Sequence, residues 1–261
     1  MQKSLHLTVL QADPVWERPS ENLALFSKLI SNLGPTDLIL LPEMFSTGFS
    51  MSPYSLAEPL AGPAVTWMKE QAAHTNAAIA GSIILKDKGN YYNSLLFVMP
   101  DARVFRYDKR HLFRMAGEEQ AYTPGTSRCI VEYLGWRICP LICYDLRFPV
   151  WSRNRNDYDL LVYHANWPAA RNEVWETLLK ARALENQAYV AGINRCGTDG
   201  NGIGYIGNSM ILNAKAEIQA HAGNASGIAL QSALSAEKLI QFREKFPVLK
   251  DADAFEIKPG Y

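Results

Sequence analysis

Residues Leu5 to Leu10 alternate between polar and apolar, the period of a strand that buries one face. Pro19, Ser20 and Glu21 then introduce a helical spacing in which Leu23, Phe26, Ile30 and Leu33 recur on one side. A helix is expected there, with Ser20 as its N-cap and Gly34-Pro35 as its stop. The run Leu38-Ile39-Leu40-Leu41 is short and apolar on both faces, as a strand held between layers must be, and Pro42 ends it. Glu43 therefore falls just past a strand's C-terminal end. Gly62-Pro63 opens a second helix that runs to about Thr75, with proline at the first helical position, where its missing N–H does no harm. Strands are expected over Ala78 to Leu85, Tyr92 to Val98 and Arg103 to Tyr107, separated by polar turn clusters, and Lys109 lies at the end of the last.

From Arg110 to Thr126 the periodicity fades and the segment closes on Thr123-Pro124-Gly125, which predicts a long surface loop. A hairpin follows, Arg128 to Tyr133 and Trp136 to Ile142, turned at Leu134-Gly135. Cys143-Tyr144-Asp145 comes directly after it. Asp145 is a helix-capping residue type and Pro149 falls among first-turn N–H groups that lack intrahelical partners, so a helix headed by Cys143 is expected. The pattern then gives a strand at Asp159 to Tyr163, a helix from about Arg171 to Glu185 and a strand at Tyr189 to Asn194. Shorter strands are expected at Ser209 to Leu212, Glu217 to Ala220 and Gly227 to Leu230, and a last helix at Ala236 to Phe246. Helices alternating with buried strands and hairpins point to a layered α/β sandwich, and one domain is expected over residues 1–261.

Charge narrows the function. The chain carries 26 basic and 26 acidic residues, so it has no bulk field with which to hold nucleic-acid phosphates or an anionic membrane. A small-molecule partner is expected instead. The N-terminal residues lack the basic and apolar regions of a secretory signal, and no run approaches the roughly 20 apolar residues of a membrane helix. A cytoplasmic protein is expected. The four cysteines, Cys129, Cys139, Cys143 and Cys196, are too few to staple so long a chain, and disulfides are not expected. Cys139 and Cys143 have a C-x3-C spacing with no histidine pair nearby, so no structural metal is expected.

A cysteine at the head of a helix has two reasons to be reactive: helix N–H dipoles favour the thiolate, and backbone donors stand ready for an oxyanion. Cys143 has that position, whereas Cys129, Cys139 and Cys196 fall within or beside strands and read as small buried hydrophobes. A thiol also needs a base. The histidines are His6, His74, His111, His164 and His221; the first two and the last suit surface or core roles, and only His111 and His164 stand near the functional loops. A buried carboxylate is the other type of base, and Glu43, followed by Met44 and Phe45, has apolar surroundings. Taken singly, Glu43 and Lys109 also fit ordinary solvated positions.

Together these residues belong to three blocks: Leu40-Leu41-Pro42-Glu43-Met44-Phe45, Tyr107-Asp108-Lys109-Arg110-His111-Leu112-Phe113, and Leu141-Ile142-Cys143-Tyr144-Asp145-Leu146-Arg147-Phe148-Pro149. In this order and at this spread they resemble the Glu-Lys-Cys signature of the nitrilase superfamily of carbon-nitrogen hydrolases. The resemblance implies an α-β-β-α four-layer sandwich whose subunits commonly pair, so a homodimer is expected, and it implies no cofactor. It also implies roles: Cys143 attacks the amide carbon, Glu43 takes its proton and later activates water, and Lys109 with the backbone N–H of Tyr144 stabilises the oxyanion. The stretch from Gly117 to Gly125 is similar to the loop in which the superfamily carries a second glutamate, seven residues before a glycine, which maps to Glu118 rather than the adjacent Glu119. Such a carboxylate orients the ammonium and the leaving amine.

Further blocks, Glu43 to Phe49, His111 to Met115, Ala165-Asn166-Trp167-Pro168 and Glu185 to Tyr189, look most like the ω-amidases, which hydrolyse the terminal amide of 2-oxoglutaramate, 2-oxosuccinamate and succinamate. Such substrates carry a carboxylate opposite the amide, and Arg114 and Arg147 are the candidates to meet it, each with a structural ion pair as its other reading. Phe49, Phe113 and Trp167 are candidate pocket walls, with core packing as the alternative. A nitrilase, a carbamoyl hydrolase or another aliphatic amidase shares the same triad. The more distant rivals are a redox thiol enzyme that pairs Cys143 with Cys139, and a non-catalytic binding module on the same fold. The apolar stretch Phe148-Pro149-Val150-Trp151 reads as a dimer face or as core.

Overall fold

Two six-stranded sheets lie face to face in the computed structural model, which describes residues 2–258. The first contains β1 (Ser4–Gln11), β2 (Leu38–Leu40), β3 (Ala78–Asp87), β4 (Asn90–Val98), β5 (Val104–Asp108) and β14 (Ile228–Ser235), in the order β14-β1-β2-β3-β4-β5. The second contains β6 (Val131–Tyr133), β7 (Trp136–Ile142), β8 (Leu160–Ala165), β9 (Tyr189–Asn194), β12 (Met210–Leu212) and β13 (Ile218–His221), in the order β13-β12-β9-β8-β7-β6. A separate hairpin of β10 (Cys196–Thr198) and β11 (Gly204–Ile206) stands apart from both.

Each sheet has three parallel strands at its centre, β1-β2-β3 and β7-β8-β9, flanked by antiparallel neighbours. Parallel neighbours need a crossover, and helices supply it. Helix α1 (Pro19–Ile30) joins β1 to β2; α2 (Pro53–Leu56), a single turn, and α3 (Pro63–Thr75) lie between β2 and β3. Between β5 and β6 stands the one-turn α4 (Glu118–Ala121); α5 (Pro149–Ser152) precedes β8, α6 (Asn172–Asn186) joins β8 to β9, and α7 (Ala236–Lys245) follows β14.

Three apolar layers hold these parts together. Leu7, Val9, Leu38, Leu40 and Ala80 of the first sheet meet Trp136, Ile138, Leu160, Val162 and Ile193 of the second in one buried apolar interface. Phe26 of α1 and Val65 and Met68 of α3 cover the outer face of the first sheet over Ile39 and Ile79. Trp175 and Leu179 of α6 cover the second over Leu161, Tyr163 and Val190. The α-β-β-α sandwich implied by the sequence blocks is the architecture observed. Trp175 is fully buried, and its truncation to alanine should cost about 3–5 kcal/mol.

Several local expectations are corrected. Helix α1 is capped at Arg18 without a side-chain bond, so Ser20 sits inside its first turn, and the helix ends at Ile30, short of Gly34-Pro35. The strand expected from Arg128 begins only at Val131, whereas that expected to end at Leu230 runs on to Ser235. Cys143 does not head a long helix: Cys143–Arg147 is a 3-10 turn, and α5 has four residues. The interruption lies at Phe148, at φ −115° and ψ 87°, because the residue before a proline is pushed out of the helical region. The Arg110 to Thr126 segment is not all surface: Glu118 and Tyr122 are buried within it.

Candidate active site

The parallel strands of both sheets end at one place, and the polar residues that follow them converge there. Glu43 comes three residues after β2. The turn that presents it is pinned to β3 by the N–H of Met44 donating to Ser82 Oγ at 2.8 Å and that of Phe45 to the Ser82 carbonyl at 3.1 Å. Gly81 is needed beneath it, since a Cβ there would stand 2.8 Å from Leu41 Cβ. Lys109 follows β5 and is fixed by its own backbone: its N–H donates to the Asn93 carbonyl and its carbonyl accepts from Gly125, both at 2.9 Å. Cys143 directly follows β7, in the left-handed region at φ 42°, a strained conformation costing about 1–3 kcal/mol that recurs at functional turns. Asn166 follows β8.

The buried side chains form one network. Lys109 Nζ donates to Glu43 Oε1 at 2.8 Å and to Glu118 Oε1 and Oε2 at 3.0 and 2.9 Å. Asn93 Nδ2 bridges the same two carboxylates, at 2.8 Å to Glu43 Oε1 and 3.2 Å to Glu118 Oε1. Glu43 Oε2 accepts the Asn166 backbone N–H at 2.9 Å, and Cys143 Sγ lies 3.8 Å from the Asn166 carbonyl. The thiol feels both the carboxylate and the ammonium: burial and the charge of Glu43 push its pKa well above the ordinary cysteine value, against the pull of Lys109. Burial alone would depress the Lys109 ammonium, but the carboxylates of Glu118 and Glu43 outweigh it and raise its pKa. The Glu118 carboxyl is pushed up by burial and by Glu43, against Lys109. The raised values favour a neutral thiol beside a charged Lys109.

Asp145 both caps the 3-10 turn and braces it. Its carboxylate accepts from Tyr107 Oη at 2.7 Å, from the N–H of Ile142 at 3.1 Å and from the N–H of His111 at 3.1 Å. His111 Nδ1 also lies 2.7 Å from Asp145, and its ring stacks on Phe148 with centroids 3.7 Å apart. His164 is fully buried and its Nδ1 bonds the Leu41 carbonyl at 2.6 Å. Neither imidazole is hydrogen-bonded to Cys143, whose neighbours are Asn166 and the Glu43–Lys109 pair.

A pocket of about 590 Å³ opens over the thiol, lined by Lys109 and Cys143 together with Phe49, Phe113, Tyr144, Arg147 and Trp167. These are the positions expected from the sequence, with one correction: Arg114 is exposed on a short 3-10 turn and does not line the pocket. The Arg114–Ala116 turn ends on Gly117 in the left-handed conformation, which directs the chain inward only from Glu118. Arg171 lines the pocket instead. Sequence reasoning also missed Asn93 and Asn166, and the β10–β11 hairpin, which supplies Asp199 and Tyr205 to the pocket lining. The Asp199-Gly200-Asn201-Gly202 run is a turn signal that had the means to reveal that hairpin.

The sequence profile of carbon-nitrogen hydrolases matches residues 6–243. The chain belongs to this family. Among relatives of this carbon-nitrogen hydrolase is omega-amidase YafV of Yersinia enterocolitica, 51% identical over 97% of this chain and 98% of that protein. The 2-oxoglutaramate amidase of Bacillus subtilis (strain 168) is 30% identical over 94% of this chain and 96% of its own length. Among solved structures, XC1258 of Xanthomonas campestris, described as a CN-hydrolase superfamily protein with an arsenic adduct in its active site, superposes with a TM-score of 0.95 at 40% identity, covering 98% of this chain and 99% of that one.

Proposed function

We propose that this hydrolase is an ω-amidase that cleaves the terminal amide of 2-oxoglutaramate, 2-oxosuccinamate or succinamate, giving the dicarboxylic acid and ammonia. The observation that carries the reading is the buried Lys109 ammonium, bonded to Glu43 and Glu118 beside the Cys143 thiol at the floor of an open pocket. The full-length likeness to proteins named omega-amidase and 2-oxoglutaramate amidase supports the substrate class.

The resting thiol is protonated, so attack and proton transfer are coupled: Cys143 Sγ bonds to the amide carbon as its proton passes to Glu43. Negative charge then develops on the amide oxygen. Lys109 Nζ and the N–H of Tyr144 are its donors, the second because first-turn N–H groups have no intrahelical partner. Donors of this kind contribute about 2.7–4 kcal/mol each. Glu43 returns the proton to the departing nitrogen, ammonia leaves, and an acyl thioester remains on Cys143. Water enters, gives a proton to Glu43 and attacks the thioester carbon; the carbon–sulfur bond breaks, the proton returns to sulfur, and the acid departs. Glu118 and Asn93 hold Lys109 and Glu43 in place throughout. Subunits pair in the cytoplasm in this reading, through the exposed surface beside α5.

The test is ammonia release from 2-oxoglutaramate by the wild-type chain and by Cys143→Ala, with folding checked by circular dichroism. Turnover by the wild type and silence of the variant support the reading. Turnover that survives in Cys143→Ala, or its absence from the wild type, removes it.

A further inference from the structure

We propose that Arg147 and Arg171 together read the carboxylate of the substrate, making them the determinants of preference for amides that carry an anionic group a few carbons from the amide carbon. The inference rests on the amidase reading of Cys143 and identifies the end of the pocket that recognises the rest of the molecule.

Five charged side chains line the pocket: Glu17, Lys109, Arg147, Arg171 and Asp199. Three have partners that account for them. Lys109 is tied to Glu43 and Glu118. Asp199 accepts the N–H groups of Asn201 and Ile203 and the hydroxyl of Tyr205 at 2.9–3.0 Å, which holds the hairpin in shape. Glu17 accepts the Ser50 hydroxyl. Arg147 and Arg171 differ: among the described residues neither guanidinium has a carboxylate at ion-pair distance or a carbonyl acceptor. Unmatched cations beside a cavity favour an anionic ligand.

Both groups are nonetheless oriented. The Arg147 guanidinium lies 5.3 Å from the Trp167 ring centre, and that of Arg171 lies 5.3 Å from the Phe113 ring centre. Trp167 Nε1 donates to the Arg171 carbonyl at 2.8 Å, and Phe113 packs edge-on against Tyr144 at 5.0 Å. An aromatic face holds the plane of a guanidinium while leaving its edge N–H groups free, the geometry a planar carboxylate meets with two parallel bonds. Placement adds to this. Arg147 lies on the 3-10 turn that begins at Cys143, and Arg171 ends the short 3-10 turn that begins three residues after Asn166. The two arginines are therefore rooted in the same segments as the reacting group and the residue that holds Glu43.

Succinamate and butyramide differ chiefly in a carboxylate against a methyl, and the ratio of their kcat/KM values reads the effect. In Arg171→Gln and Arg147→Gln that ratio should fall by about 10-fold to 100-fold, and Arg171→Lys should recover part of it. An equal fall on both amides, or a wild type that does not prefer succinamate, overturns the proposal. Equilibrium binding to Cys143→Ala separates this from the amidase reading. Preference for succinamate over butyramide in that background, lost when either arginine becomes glutamine, upholds the anion site even if no amide is hydrolysed. Equal binding of the two amides removes the anion site even if the enzyme is an amidase.

Discussion

Glu43 is hydrogen-bonded on both oxygens: Oε1 accepts from Lys109 and Asn93 at 2.8 Å, and Oε2 from the backbone and side chain of Asn166 at 2.9 and 3.3 Å. Donors to a buried carboxylate contribute about 1.5–3 kcal/mol each, so Asn93→Ala should lower kcat by roughly 10-fold to 100-fold, with less effect on KM because Asn93 does not line the pocket. Steady-state kinetics decide, and a change confined to KM would contradict the role. Cys143 yields a pH prediction. A thiol whose pKa is raised stays protonated below that value, so ultraviolet thiolate absorbance assigned by difference from Cys143→Ser should show no step between about pH 6 and 8. A step in that window would mean that the free thiol is activated before substrate arrives. Each of Glu43, Lys109 and Cys143 follows an apolar or alternating run that marks a strand end, but it was the resemblance of their three blocks to the nitrilase superfamily that singled them out together. Asn93 was not legible, since it sits among β4 residues whose alternation describes a strand whatever polar residue stands there. Arg171 was hidden by the periodicity of the helix it precedes.

At the scale of elements, the site depends on two strand ends from different sheets staying in register, and His164 of β8 is a direct link between them. A carbonyl only accepts, so the 2.6 Å contact with Leu41 places the proton on Nδ1; Nε2 is buried without a partner. Burial depresses the His164 pKa to about 4. The unfolded chain therefore binds a proton near pH 6.5 that the folded chain refuses until about pH 4. Stability from this residue is full above the higher value and is lost as pH falls through the window, by roughly 2–4 kcal/mol. His164→Asn keeps a donor but cannot ionise, so its urea midpoint should fall less than that of the wild type between about pH 7 and 4. Parallel curves for the two proteins would contradict the linkage. No sequence pattern announced this link, because the contact of β8 with the residue that follows β2, across two sheets, is a tertiary fact. Asp145 does cap the turn after Cys143 through the Ile142 N–H, but Tyr107 and His111 share its carboxylate, and these tertiary partners leave no local sequence pattern.

At the scale of the whole molecule, alternating helices and buried strands made a layered α/β sandwich legible, while the four-layer α-β-β-α arrangement was implied by the resemblance of the three sequence blocks to the nitrilase superfamily. The order of strands was not legible, since β14 pairs with β1 across nearly the whole length of the chain. The stretch Phe148 to Trp151 divides by depth. Trp151 is buried and donates to Tyr107 Oη at 3.0 Å, and Phe148 supports His111, so both belong to the site's foundation. Val150 is 56% exposed and Leu184, near the end of α6, is 54% exposed. Arg153 donates to the Glu185 carbonyl, which places the two apolar groups on neighbouring helices. A stable homodimer needs about 1,200–2,000 Å² of buried surface, more than two side chains provide, so in the proposed dimer Val150 and Leu184 would form the apolar centre and polar neighbours the rim. Sedimentation should find a dimer for the wild type and a shift toward monomer for Val150→Asp, with the far-ultraviolet spectrum retained. Because Arg147 lies three residues before Val150 on the segment that begins at Cys143, the monomer should also show a raised KM for carboxylated amides. A wild type that sediments as a monomer would leave this face as ordinary surface; a dimer that resists Val150→Asp would move the interface elsewhere.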